Sequence, residues 1–174
     1  QIGYRLVAMM IGAALAFNLA WPQSASSALN AWFPTGPLGT ARYNHTATRL
    51  ADGRVLAAGG FNTMYTTSAE LYNPTSKTWT ATGPLGTARH MHKEALLADG
   101  RVLVVGGSGA VAFMPNAEIF DPAADGGAGA WTATAPLTTG RSYHTATRLL
   151  DGRVLVAGGI KNGSTTGYLN SAQI

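Results

Sequence analysis

Apolar and polar positions recur along this chain in one fixed order, three times over. His45–Leu50 (HTATRL) interleaves Thr with Ala and Leu, Ala51-Asp52-Gly53 interrupts, and Arg54–Ala58 (RVLAA) returns as an apolar run closed by Gly59-Gly60. His144–Gly159 repeats His45–Gly60 at 14 of 16 positions, and Lys93–Gly107 (KEALLADGRVLVVGG) is a diverged third copy. Thr-rich or apolar runs of this length on either side of Asp-Gly predict hairpins with a tight two-residue turn. First strands are expected near 44–50, 91–97 and 143–149, and second strands near 54–58, 101–105 and 153–157. The near-continuous apolar character of RVLAA, RVLVV and RVLVA fits strands covered on both faces by neighbouring sheets.

Beyond each diglycine the pattern continues. Ser68–Tyr72 (SAELY) alternates as a third strand, Asn73-Pro74 opens a turn, and Lys77–Ala81 (KTWTA) supplies a fourth. The second unit repeats this with Asn116–Phe120 (NAEIF), Asp121-Pro122 and Trp131; the third reaches Ser171–Ile174 (SAQI). Trp32 stands five residues before Pro37-Leu38, as Trp79 and Trp131 stand before Pro84-Leu85 and Pro136-Leu137, so residues 31–34 are expected to be an orphan fourth strand. The diglycines lie 47 and 52 residues apart, and a period near 50 marks a propeller built of small sheets. The fold class expected is therefore all-β: consecutive four-stranded antiparallel blades over about 43–82, 90–134 and 142–174, the last truncated. Three units form an incomplete ring where closed ones have typically 4 to 8 blades.

The first 28 residues differ in kind from the repeats at 29–174. Arg5 precedes an apolar run, Leu6–Ala20, interrupted only by Asn18, and a small polar stretch follows at Ser24–Ala28. That order describes a signal peptide, expected as a hydrophobic helix. A membrane anchor is the alternative, although the run is shorter than the roughly 20 residues that span a bilayer. Either places the repeats in a secreted, periplasmic or cell-surface location, with membrane contact only through this segment.

Charge changes the picture little. Charged residues make up 11% of the chain and the net charge is +4, spread through the repeats without a basic run, which points away from nucleic acid. There is no Cys, so disulfides and thiolate chemistry are excluded within these residues.

Gly59-Gly60, Tyr72 twelve residues on and Trp79 seven further resemble the kelch repeat, with Phe120 in place of the Tyr in the second unit. Arg42, His45, Asp52-Gly53-Arg54 and Ala69-Glu70 look like the secreted type found in the propeller of galactose oxidase and its relatives. The resemblance implies a kelch-type β-propeller, a fold shared by copper radical oxidases, sialic-acid epimerases and many non-enzymatic binders. The oxidase cofactor needs a Cys-linked Tyr, so it cannot be assembled from these residues, and no cofactor is expected.

In an up-and-down sheet the second-to-third loop and the connection between blades share one end, and function concentrates on variable loops over a rigid scaffold. The positions that vary there between fixed Arg and His are Tyr43, Asn44, His90, Met91, Ser142 and Tyr143, joined by the loops 61–67, 108–116 and 160–167. These are the expected ligand-binding residues, with a glycan or a protein as partner. No catalytic constellation is visible. His45, His92 and His144 recur once per unit and read as structural side chains bonding to a neighbouring loop. His90 and His92 would share one side of an extended segment, but without a third ligand no metal site is expected. Arg42, Arg89 and Arg141 are expected to pair with Glu70, Glu118 and Gln173. Ala123–Ala130 (AADGGAGA) reads as a flexible tip. The function expected is an exported binding scaffold; the alternative is the amino-terminal part of an exported oxidase or epimerase whose catalytic residues lie elsewhere.

Overall fold

The computed structural model describes residues 31–110, 113–161 and 167–174. The apolar segment before residue 28 lies outside them. The chain divides into Gln1–Pro34 and Thr35–Ile174. Of the first unit only 31–34 are described, and the strand expected there is not formed.

The second unit is built of antiparallel sheets in chain order. Strands β1 (Thr46–Arg49), β2 (Val55–Ala58), β5 (Ala69–Asn73) and β6 (Thr78–Ala81) form the first blade, with a small hairpin of β3 (Phe61–Asn62) and β4 (Met64–Tyr65) inside its second-to-third loop. The second blade is β7 (Lys93–Leu96), β8 (Val102–Val105), β9 (Ala117–Asp121) and β10 (Ala130–Thr134). The third contains β11 (Thr145–Arg148), β12 (Val154–Ala157) and β13 (Ala172–Gln173). Every expected strand in the repeats is found, and HTATRL is strand in both copies.

The Asp-Gly turn differs from expectation by one residue. Leu50 N–H donates to the Arg54 carbonyl at 2.8 Å and Gly53 N–H to the Leu50 carbonyl at 3.1 Å, with Gly53 at φ +90°. This is a three-residue loop ending in a left-handed glycine rather than a two-residue turn. The same bonds recur at Leu97, Gly100 and Arg101 and at Leu149, Gly152 and Arg153. Asp52, Asp99 and Asp151 each accept from the backbone N–H two residues on, which gives them a turn function.

The core lies between blades. Leu56, Ala58 and Leu71 of the first sheet pack with Val102, Val104 and Phe120 of the second, and Val105 and Ala117 pack with Val156 of the third. Strands β1, β7 and β11 run side by side, so the first strand of each blade faces the common axis. The tip at 123–130 is tied down instead of loose. It contains a 3-10 turn at Asp125–Gly127, and Arg54 of the first blade donates to the Gly127 carbonyl at 2.8 Å.

The diglycines are where blades meet. The second glycine of each pair packs on its own blade's His, and Gly60 N–H and Gly107 N–H donate at 2.8 Å to the carbonyls of Arg89 and Arg141 in the following blade. The first glycine packs against the next blade's His: a Cβ on Gly59 would lie 2.9 Å from His92 Cε1, and one on Gly106 would lie 2.7 Å from His144 Cε1. The recurring His and Gly-Gly are thus two halves of one contact between neighbouring sheets.

Candidate functional site

Each interblade connection arrives at the axis in the same way. Arg42 donates to the carbonyls of Gly59 (2.8 Å) and Ser68 (2.7 Å) and to Glu70 Oε1 at 2.6 Å. Arg89 repeats this with Gly106, Asn116 and Glu118. Both guanidinium groups are fully buried, and Glu70 and Glu118 also accept backbone N–H bonds from Gly39-Thr40 and Gly86-Thr87. The repeated Arg–carboxylate pair is structural: it closes the strand ends at the loop-bearing end of the blade. The third blade departs from expectation. Gln173 accepts from Thr138 N–H at 3.0 Å but does not reach Arg141, which bonds the Gly158 and Ser171 carbonyls and Ser171 Oγ. An amide side chain keeps the contact to the connection and gives up the one to the buried cation.

Two residues after each Arg the backbone turns left-handed without glycine: Asn44 has φ +52°, Met91 +54° and Tyr143 +55°. Such residues cost of order 1 kcal/mol each unless the surroundings hold them. Here they link blades, with Met91 N–H donating to the Asn44 carbonyl at 3.0 Å and Tyr143 N–H to the Met91 carbonyl at 3.3 Å. The reversal at Met91 also separates His90 from His92, so the two imidazoles do not share one environment. Nδ1 of His90 lies 3.0 Å from the Ser108 carbonyl, whereas Nε2 of His92 lies 2.8 Å from Thr46 Oγ1 on β1 of the preceding blade. The hydrogen bond of His92 therefore goes to a neighbouring strand, while its ring packs against Gly59 at the start of the neighbouring loop. No cluster of three His, Cys, Asp or Glu side chains able to hold a metal occurs among the described residues.

The six positions expected to bind ligand split into two registers. Tyr43, His90 and Ser142 form isolated bridges to Phe61, Ser108 and Ile160 at the start of the second-to-third loops. Tyr43 is 58% exposed, while His90 and Ser142 are buried. Asn44, Met91 and Tyr143 stand at the axis, Tyr143 being 59% exposed. What the sequence reading did not assemble is an aromatic cluster across the first two blades. Phe61 lies 5.4 Å from Tyr43, 5.1 Å from Tyr65 and 5.8 Å from His90, and Tyr65 lies 4.9 Å from His90, measured between ring centroids. The β3–β4 hairpin creates this arrangement by folding the loop 61–67 back on itself, and Met64 at its tip is 73% exposed. A groove of about 440 Å3 runs beside it, lined by Phe61, Thr63, Met64, Tyr65, Ala88 and Ala110. A larger cavity of about 500 Å3 lies against β10 and the connections at 84–87 and Pro136; its one ionisable lining residue, Glu118, is already committed to Arg89.

Below the axis mouth the inner strands bury titratable groups. Burial, assisted by Arg89, pushes the His92 pKa down to about 3, and burial with Arg141 and Lys93 pushes His144 down to about 4. Burial raises Glu94, whose Oε2 accepts from Thr48 Oγ1 at 2.7 Å, to about 7. Both histidines bind fewer protons folded than unfolded below pH 6.5, so acidification destabilises the fold through them. Glu94 binds more protons folded than unfolded between about pH 4.5 and 7, so the same acidification favours the fold through it. From pH 6.5 to 5 each histidine costs about 2 kcal/mol and Glu94 returns about 2 kcal/mol. Glu94→Gln removes the returning contribution, so the thermal midpoint of that variant should fall more steeply between pH 6.5 and 5 than that of the parent chain. Parallel profiles would mean that Glu94 does not titrate in that window.

Residues 41–86 match the family model of the Kelch motif, a span that takes in all four main strands of the first blade and the start of the connection to the second. A search of curated proteins finds no match to the chain.

Proposed function

We propose that these kelch-type blades form a protein-interaction scaffold whose partner docks a short apolar segment on the loop face of the first two blades. The single observation behind this reading is the cluster of Tyr43, Phe61, Tyr65 and His90 beside the 440 Å3 groove. Aromatic side chains already packed against one another lose little conformational freedom on binding, which suits them to carry contact energy. The groove favours an aliphatic or aromatic side chain over a sugar. Thr63 supplies its only side-chain hydroxyl besides the Tyr65 phenol, whereas a polyhydroxylated ligand needs several convergent hydrogen-bonding groups. The opposite end carries repeated turns whose Asp and Arg are paired with each other, at Asp52–Arg54, Asp99–Arg101 and Asp151–Arg153. Export of the scaffold is part of the proposal and rests on the signal-like segment at 1–28.

Selection of binders from a random dodecapeptide library on the immobilised chain tests this. Selected peptides should be enriched in apolar residues and should lose at least about tenfold in affinity on Tyr65→Ala. Asp99→Ala, on the far end, should leave affinity unchanged. Enrichment that persists on Tyr65→Ala and is lost on Asp99→Ala would place recognition on the wrong end. Saturable binding of soluble oligosaccharides sensitive to Tyr65→Ala would replace the peptide by a glycan.

A further inference from the structure

A second, smaller cavity is lined by the residues that follow the aromatic cluster in sequence. Tyr43 and His90 of the aromatic cluster are followed directly in sequence by Asn44 and Met91, which line a second cavity of about 170 Å3 at the mouth of the axis, together with Thr46, Lys93 and Tyr143. All three blades contribute to it. Lys93 has no counterpart in the other copies, where Thr46 and Thr145 occupy its register, and it forms no ion pair among the described residues.

The electrostatics of this end are one-sided. Arg42 and Arg89 are neutralised by Glu70 and Glu118, but Arg141 is fully buried with no carboxylate partner among the described residues, so burial lowers its pKa unopposed. The remaining carboxylate near the mouth is Glu94, which is turned to Thr48 and whose pKa burial raises. Asp52, Asp99, Asp125 and Asp151 belong to turns at the opposite end, and Asp121 ends β9 beside one of them. Burial, and after it the charges of Arg141 and Lys93, lowers the His144 pKa. A low-dielectric wall on one side of an unpaired ammonium strengthens its attraction for an anion.

We propose that the axis mouth bordered by Asn44, Lys93 and Tyr143 is a subsite for a carboxylate, supplied by an acidic residue next to the apolar segment of the partner. Lys93 provides the charge, while the Asn44 amide and the Tyr143 phenol provide neutral donors. The subsite rests on the peptide reading above for the source of its ligand, though not for its chemistry.

The experiment is an amide NMR titration of the full chain with sodium acetate against sodium chloride at constant ionic strength. A second arm uses the blocked peptide acetyl-Leu-Ala-Glu-Leu-Ala-amide and its Gln analogue. Saturable shifts at Asn44, Met91, Lys93 and Tyr143 with acetate, absent in both Lys93→Met and Lys93→Gln, are the expected result. The Glu peptide should bind about tenfold more tightly than the Gln peptide, with the difference lost in both variants. Acetate shifts that do not saturate, or that survive removal of the ammonium, overturn the subsite. Peptides that bind equally well, with Lys93 indifferent to acetate, would leave the apolar docking reading standing and end this one. Acetate binding that depends on Lys93 without any peptide binding would do the reverse, assigning the subsite to free carboxylates. Thermal midpoints close to the parent value show that the variants remain folded, as expected for an exposed side chain.

Discussion

Gly107→Ala should lose more than about 4 kcal/mol of stability or fail to fold, whereas Gly100→Ala, seven residues earlier in the same blade, should lose only about 1–2 kcal/mol. Both glycines are left-handed, at φ +99° and +87°, so the backbone cost of a Cβ is similar at the two positions. Their surroundings differ. A Cβ on Gly107 would lie 2.7 Å from the His90 carbonyl oxygen and 2.8 Å from His92 Cβ, while around Gly100 nothing lies within 4 Å. The atoms in the way at Gly107 belong to the interblade segment that also holds the left-handed Met91, and Gly107 N–H is bonded to Arg141 of the next blade. Relief would have to move two blades at once, and packed sheets yield little to overpacking. Chemical denaturation of both variants measures the difference. Equal losses would mean that conformational freedom alone, and not close approach between sheets, dictates the diglycine.

The same comparison shows what could be read from the chain. Strand positions came from a period of apolar runs and Asp-Gly breaks that belongs to the backbone and survives in each copy, so β1, β7 and β11 were placed to within two residues. The role of Gly59-Gly60 as a terminator was legible, but its contact with the next blade's His was not, because that contact is made across 32 residues of intervening chain. The left-handed Asn44, Met91 and Tyr143 were invisible as conformations, since Met and Tyr give no sign of it and only Asn tolerates that region well. The aromatic cluster escaped for a related reason. Phe61 and Tyr65 were seen as members of a variable loop, yet their meeting with Tyr43 and His90 depends on a two-residue hairpin, β3–β4, too short to leave a period of its own.

Glu118→Leu should destabilise the chain by about 3–5 kcal/mol, because it leaves the fully buried Arg89 guanidinium without its counter-charge. The loss has two parts that further variants separate. Glu118 also accepts from Gly86 N–H at 2.6 Å and Thr87 N–H at 3.2 Å, which anchors the connection between the first and second blades, and these donors are stranded as well. Combining Glu118→Leu with Arg89→Met removes the unpaired charge, so part of the stability should return. Recovery should remain incomplete, because Arg89 additionally donates to the carbonyls of Gly106 and Asn116, and a thioether cannot. The third blade supplies the reverse experiment. Arg141 is buried there beside Gln173, whose amide holds Thr138 but leaves the guanidinium unpaired. Gln173→Glu would place a carboxylate in the position that Glu70 and Glu118 occupy in the other blades, and should stabilise the chain by about 1–2 kcal/mol at pH 7, with the gain fading as the pH falls through the carboxylate range. A gain that is independent of pH, or no gain at all, would mean that the repeated Arg is held by its carbonyl partners and that the carboxylate serves only the connection between blades.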